Sequence, residues 1–177
     1  MRSSTDQLKS STDKKININS KSSNANSKSE DKAEDESKLT RKEAQNLATW
    51  KKLTKKYPNL KKLDGISGTD GLHKLQRYMN THLNHRSGGS TSFEGVQRSG
   101  HGDCWGLAAW AATVLKYNNY DARIVQGPNS YSSNHRWVQV KVNKRWVNFE
   151  SSLVTKRYGS KSYTRVCAKV RTVVKSM

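Results

Sequence analysis

No window of the chain approaches the run of about 18 apolar residues that a membrane span requires, and the start, Met1 to Leu8, has no apolar stretch of the kind that opens an export signal. Neither an anchored protein nor one exported by an ordinary signal is therefore expected. Cysteine is scarce, with only Cys104 and Cys167, so a disulfide-rich scaffold is excluded and one bridge is the maximum. Acid is scarce too, 14 Asp and Glu against 33 Lys and Arg. No internal repeat is visible, which excludes solenoids and propellers.

The first 38 residues lack aromatics altogether; they hold 10 serines and only six apolar residues, Met1, Leu8, Ile16, Ile18, Ala25 and Ala33. That is too little to offset the entropy of ordering the segment, so residues 1–38 read as a disordered tail. All 14 Trp, Tyr and Phe lie beyond it, in a stretch of 139 residues long enough for one core. This stretch divides into a basic helical lead-in, residues 39–68, and a main domain, residues 69–177. The tail's 8 basic and 7 acidic residues nearly cancel, leaving 25 basic and 7 acidic, or +18, on residues 39–177. Such a surplus implies a polyanionic neighbour, and nucleic acid, an acidic lipid surface and an acidic wall polymer all satisfy it.

Thr40-Arg41-Lys42-Glu43 is a capping-box pattern, followed at helical spacing by Ala44, Leu47, Trp50 and Thr54; Tyr57-Pro58-Asn59 ends the helix. Asp70 is placed to cap a second helix with Leu72, Leu75, Met79 and Leu83 on one face. His73, His82 and His85 on or after it share their spacing with no cysteine or second carboxylate, so no metal site is expected. Residues 86–100 read as a long Gly/Ser-rich loop forming one wall of a cleft. Strand-like segments follow at 122–126, 136–142, 145–150 and 163–174, with Asn143-Lys144 as the hairpin turn of the middle pair. Helices first and adjacent strands afterwards indicate an α+β fold with an antiparallel sheet.

The chemistry concentrates at Gly100-His101-Gly102-Asp103-Cys104-Trp105-Gly106, which runs into the apolar stretch from Leu107 to Leu115. A cysteine that closes a Gly-rich turn and opens a helix meets unpaired N–H groups and the positive dipole end, a setting that suits a thiolate nucleophile. Cys167, in an alternating stretch, reads as a packed thiol. His135 begins one strand, 31 residues after Cys104, and Glu150 ends its hairpin partner. A hairpin centred on Asn143-Lys144 places residues 136–138 opposite 149–151, so that His135 and Glu150 become neighbours. Nucleophile, base and orienting acid are the parts a thiol enzyme needs. The Cys104 N–H is the natural oxyanion donor, and Gln97, His101 and Asn134 are candidates for a second. Trp105, Tyr131 and Trp137 are candidates for the substrate cleft.

Gly-Asp-Cys-Trp-Gly-Leu-Ala, then Asn-His-Arg-Trp-Val, then Trp-Val-Asn-Phe-Glu-Ser-Ser resembles the transglutaminase-like branch of the papain-like cysteine enzymes, from about Asp70 to the C-terminus. Within it the chain looks most like the archaeal pseudomurein endoisopeptidases. The resemblance implies an N-terminal set of helices, a catalytic cysteine at a helix start packed on an antiparallel sheet, and no cofactor. It further implies hydrolysis of an alanine–lysine isopeptide bond in the wall, by a monomer held on the anionic polymer, made inside the cell and released at lysis. The family usually has Asp at the third position, where this chain has Glu150. Acyl transfer to an amine shares the first half of the reaction and stays open as an alternative. A basic nucleic-acid-binding or scaffold protein with a dead triad explains the charge equally well, but gives no reason for the order Cys, His, acid; no sequence-specific nucleic-acid partner is expected.

Overall fold

The computed structural model describes residues 39–177, which form one compact unit; the tail expected over residues 1–38 lies outside the described residues. The first helix, α1 (Arg41–Lys56), starts where the Thr40 hydroxyl accepts the Glu43 N–H at 3.2 Å and stops at Tyr57, ahead of Pro58. Its buried face is Asn46, Trp50 and Thr54, whereas Ala44 and Leu47 face outward. Two polar anchors set this rotation: Trp50 Nε1 donates to Asp64 at 2.7 Å and Asn46 donates to Asn119 at 3.0 Å. The expected apolar face is thus displaced, because hydrogen-bonded side chains outbid a lone exposed leucine. The lead-in shares the main core through Trp50, Leu60 and Leu63.

Helix α2 (Gly68–His82) buries Leu72, Leu75 and Met79, as their spacing predicts; Asp70 sits in its first turn and does not cap it. Residues 86–100 are not a loop. They hold strand β1 (Asn84–Ser90) and helix α3 (Phe93–Ser99), and the left-handed Gly100 (φ 77°) turns the chain into the two-residue strand β2 (His101–Gly102), which pairs in parallel with β1. The central helix α4 (Cys104–Tyr117) buries Leu107, Ala108, Trp110, Ala111, Ala112, Val114 and Leu115.

Helix α4 packs on a four-stranded antiparallel sheet of order β5-β4-β3-β6, built from β3 (Ala122–Gly127), β4 (His135–Val142), β5 (Arg145–Phe149) and β6 (Thr172–Ser176). The fold is therefore α+β, with the helix that Cys104 opens packed on the antiparallel sheet, as expected. Asn143 (φ 51°) and Lys144 (φ 64°) both take the left-handed conformation that a two-residue turn between twisted strands demands. The resulting register pairs Val142 with Arg145 and Val138 with Phe149, and so brings the start of β4 beside the end of β5. The strand expected at 163–174 is confined to Thr172–Ser176; residues before it turn back toward the start of β4, with Tyr163 stacked on Phe149.

Helix α4 lies against the end of β1 because Gly106 has no side chain: a Cβ there would collide with the Ser90 carbonyl oxygen and press on Val96. Gly106→Ala gains up to about 1 kcal/mol in helix propensity. It also forces backbone against backbone, which costs about 1–3 kcal/mol or more and wins. The expected result is a melting temperature lowered by several degrees; an unchanged or raised value would show that β1 yields freely.

Candidate active site

Cys104 is the first residue of α4. Asp103, extended, caps the helix by accepting the Gly106 N–H on Oδ1 at 2.9 Å, while its own N–H donates to Ser90 O at 3.1 Å. Both bonds hold the turn, so the partly exposed thiol stands at the helix end whose N–H groups have no acceptor within the helix. His135, only 6% exposed, opens β4 with its ring stacked on Trp137, centroids 5.7 Å apart and planes 18° from parallel. Its Nε2 lies 2.9 Å from Oε2 of the fully buried Glu150, which leaves Nδ1 as the ring nitrogen available to Cys104 in the shared cleft. Glu150 is itself held, Oε1 accepting the Ser152 N–H at 3.3 Å and its own N–H donating to Tyr163 O at 2.8 Å.

The three sequence candidates are therefore brought together: His135 is hydrogen-bonded to Glu150, and Cys104 lines the same cleft as His135. Burial alone would lower the His135 pKa. The hydrogen bonds to Cys104 and Glu150, with the negative charge of Glu150 and Cys167, override it and carry the imidazole up to about 10. The arrangement thus favours an imidazolium beside the Glu150 carboxylate.

Cys104 and His135 open on a cleft of about 520 Å³ bordered by His85, Asn129, Tyr131 and Cys167. Tyr131 is 96% exposed at its rim, as a cleft candidate should be. The other aromatic candidates fall elsewhere. Trp105 lies under the Arg136 guanidinium, 3.5 Å from the ring centroid, and its Nε1 donates to Asn134 O at 2.9 Å. Trp137 is buried behind His135 and donates to Asn148 at 3.2 Å.

None of the three candidates for a second oxyanion donor borders the cleft. The Gln97 side-chain oxygen accepts from Trp110 Nε1 at 2.9 Å, which holds this half-buried side chain beside α4. The Asn134 side chain turns to Gln126 at 3.5 Å, and His101 is committed to β2 with its Nδ1 buried.

The cleft is also lined by residues that the sequence does not single out for it, His85 and Cys167 among them. His85 borders the cleft from β1, its pKa lowered by burial and by the neighbouring Arg157 and His135 charges. Cys167 is not a packed strand thiol. It is exposed, in an irregular segment, with Sγ 3.7 Å from Glu150 Oε2 and 3.6 Å from Asn129 Nδ2. Only the scarcity of cysteine hinted at it.

A model of the transglutaminase-like superfamily matches residues 31–151, a span that takes in Cys104, His135 and Glu150. The chain belongs to the transglutaminase-like superfamily. The match begins upstream of the motif-bearing region and ends soon after Glu150, so the last residues that shape this cleft lie outside it. Among solved structures, a protein assigned as a cysteine protease from Cytophaga hutchinsonii is similar at 16% identity with a TM-score of 0.51, over 66% of this chain and 44% of that one. The likeness is one of fold, and this superfamily member spans less than half of that structure's length. A TGase structure aligns at 16% identity over 70% of this chain and 37% of its own, with a TM-score of 0.40. A search of curated proteins returns no match.

Proposed function

We propose that this superfamily member is a cysteine endoisopeptidase that hydrolyses an alanine–lysine isopeptide bond of the archaeal wall polymer pseudomurein. The observation that carries the enzymatic part is the buried His135–Glu150 pair opening on the same cleft as Cys104 at the start of α4. The wall substrate rests on the motif resemblance, and the surplus of +18 on residues 39–177 agrees with it. In this reaction the Cys104 thiolate attacks the amide carbonyl, and the oxyanion is met by the Cys104 N–H at the start of α4. His135 gives its proton to the departing lysine amine, and the acyl group stays on Cys104 as a thioester. His135 then takes a proton from water, whose oxygen attacks the thioester and frees the acid and the thiolate.

Purified walls treated with the protein should release lysine side-chain amines and new carboxyl groups in equal amounts, with Cys104→Ala as the inactive control. Equal amounts distinguish hydrolysis from acyl transfer, in which an added primary amine would be incorporated in place of the new carboxyl. No release above the Cys104→Ala control sinks the wall reading.

Charge and chemistry should separate in salt. Release from intact walls should fall steeply as ionic strength rises through about 0.1 M, where the screening length is about 10 Å, while cleavage of a small uncharged isopeptide changes little. Equal salt sensitivity of both substrates would remove the basic surface from the binding step.

A further inference from the structure

We propose that Cys167, His135 and Glu150 form a zinc-binding site whose occupancy shuts the enzyme off, with Cys104 outside it. The spacing of His73, His82 and His85 in the sequence points to no metal. The fold changes that by bringing the segment before β6 back against the end of β5.

One donor atom from each of the three residues, a thiol sulfur, an imidazole nitrogen and a carboxylate oxygen, lie within 4.8 Å of one another. Bond lengths of about 2.3 Å to sulfur and about 2.0–2.2 Å to nitrogen and oxygen put the donors of a tetrahedral zinc site roughly 3.3–3.6 Å apart. Two of the observed spacings bracket that range, 2.9 Å from His135 Nε2 to Glu150 Oε2 and 3.7 Å from Cys167 Sγ to the same oxygen, and the third, between His135 and Cys167, lies within 4.8 Å. An ion therefore fits after movements of tenths of an ångström to about an ångström. Mixed S, N and O donors suit zinc, whereas magnesium and calcium prefer oxygen alone.

Outer partners are also in place. Ser152 N–H holds Glu150 Oε1 and leaves Oε2 facing the site, and Asn129 Nδ2 donates to the Cys167 sulfur at 3.6 Å. His135 is braced by its stack on Trp137. Cys167 is exposed and borders the same cleft as Cys104, which gives the ion a path from solvent and leaves a fourth position for water.

Binding releases two protons, one from the Cys167 thiol and one from His135 Nε2, and exchanges the His135–Glu150 hydrogen bond for two bonds to the metal. His135 keeps a proton only on Nδ1, toward Cys104. Giving that proton to a leaving amine would produce a metal-bound imidazolate, with no carboxylate hydrogen bond to Nε2, so turnover falls while the Cys104 thiol stays chemically available.

The inhibitory half of this proposal rests on the peptidase reading; the binding half does not, and cobalt(II) reports it directly. The reduced full chain titrated with Co²⁺ should develop the near-ultraviolet thiolate-to-cobalt absorption and the visible bands of a tetrahedral site, and Zn²⁺ should displace them. Cys104→Ala should keep these bands. Cys167→Ser should lose the thiolate band and bind Zn²⁺ at least about 100-fold more weakly, and Asn129→Ala should bind about 10-fold more weakly. With Zn²⁺ bound, iodoacetamide should still alkylate Cys104 but no longer Cys167.

Loss of the thiolate band in Cys104→Ala with its retention in Cys167→Ser would overturn the proposal, placing the metal on the Cys104 and His135 pair. So would the absence of any thiolate band in the folded wild type at millimolar Co²⁺. A protein that binds Co²⁺ as described but cleaves no substrate would defeat the peptidase reading and leave the metal site standing.

Discussion

Cys104→Ala should abolish cleavage, with turnover reduced by on the order of 10⁴-fold or more, because removing the nucleophile deletes the covalent route and leaves only binding and the oxyanion donors. The fold should be indifferent to the change: the side chain is partly exposed, and alanine suits the first turn of α4. Alkylation gives a second view of the same residue. Cys167 is exposed and Cys104 partly so, and both thiols should react with iodoacetamide. What separates them is consequence: loss of activity should track the fraction of Cys104 modified, measured by peptide mapping at limiting reagent. Full activity in Cys104→Ala, or in protein carrying the label quantitatively on Cys104, ends the nucleophile assignment.

The parts of this molecule that were legible beforehand are those written in local pattern. Leu72, Leu75 and Met79 repeat at helical spacing and are buried as that spacing requires. The Asn143-Lys144 turn sits between two alternating segments, and since a two-residue turn fixes register, the proximity of His135 and Glu150 followed from counting outward. What could not be read depends on partners distant in sequence. Strand β1 is polar and Gly-rich and exists because β2 and the start of α4 lie against it, so no periodicity marks it. Gln97 is held by Trp110, 13 residues on in the buried face of α4, a partner that no local pattern announces. Cys167 was misread because an alternating apolar pattern implies a strand, yet here residues from 163 onward first serve to cover Phe149 and Glu150. In each case a hydrogen bond or a close backbone approach overrode a local preference worth less than about 1 kcal/mol.

Glu150 gives the sharpest remaining test, because its effect on His135 has a sign in both rate and pH. Its carboxylate accepts the Nε2 proton at 2.9 Å and so selects the tautomer whose other nitrogen is free to take the Cys104 proton. In Glu150→Gln the buried shape is kept, but an amide that turns its NH₂ toward Nε2 donates there, forcing the neutral ring to carry its proton on Nδ1, facing Cys104 with nothing to accept. Turnover should fall by about 10²–10⁴-fold with little change in folding, as expected when an orienting carboxylate becomes an amide. The pH profile should move with it. In the wild type the imidazolium persists until pH approaches about 10, so the alkaline limb of activity lies high; removing the negative charge takes away a cause of that rise, and the limb should shift toward neutrality. Stability follows the same sign. A histidine whose folded pKa is raised from 6.5 contributes fully below pH 6.5 and loses that contribution as pH climbs to about 10, so the wild type's alkaline loss of stability should flatten in Glu150→Gln. Glu150→Asp keeps the charge on a side chain one methylene shorter, and from this backbone position it should recover the high alkaline limb only in part, since the carboxylate must cross a gap the longer residue now spans. An unshifted limb with full turnover in Glu150→Gln would remove Glu150 from the site and leave a Cys104 and His135 pair.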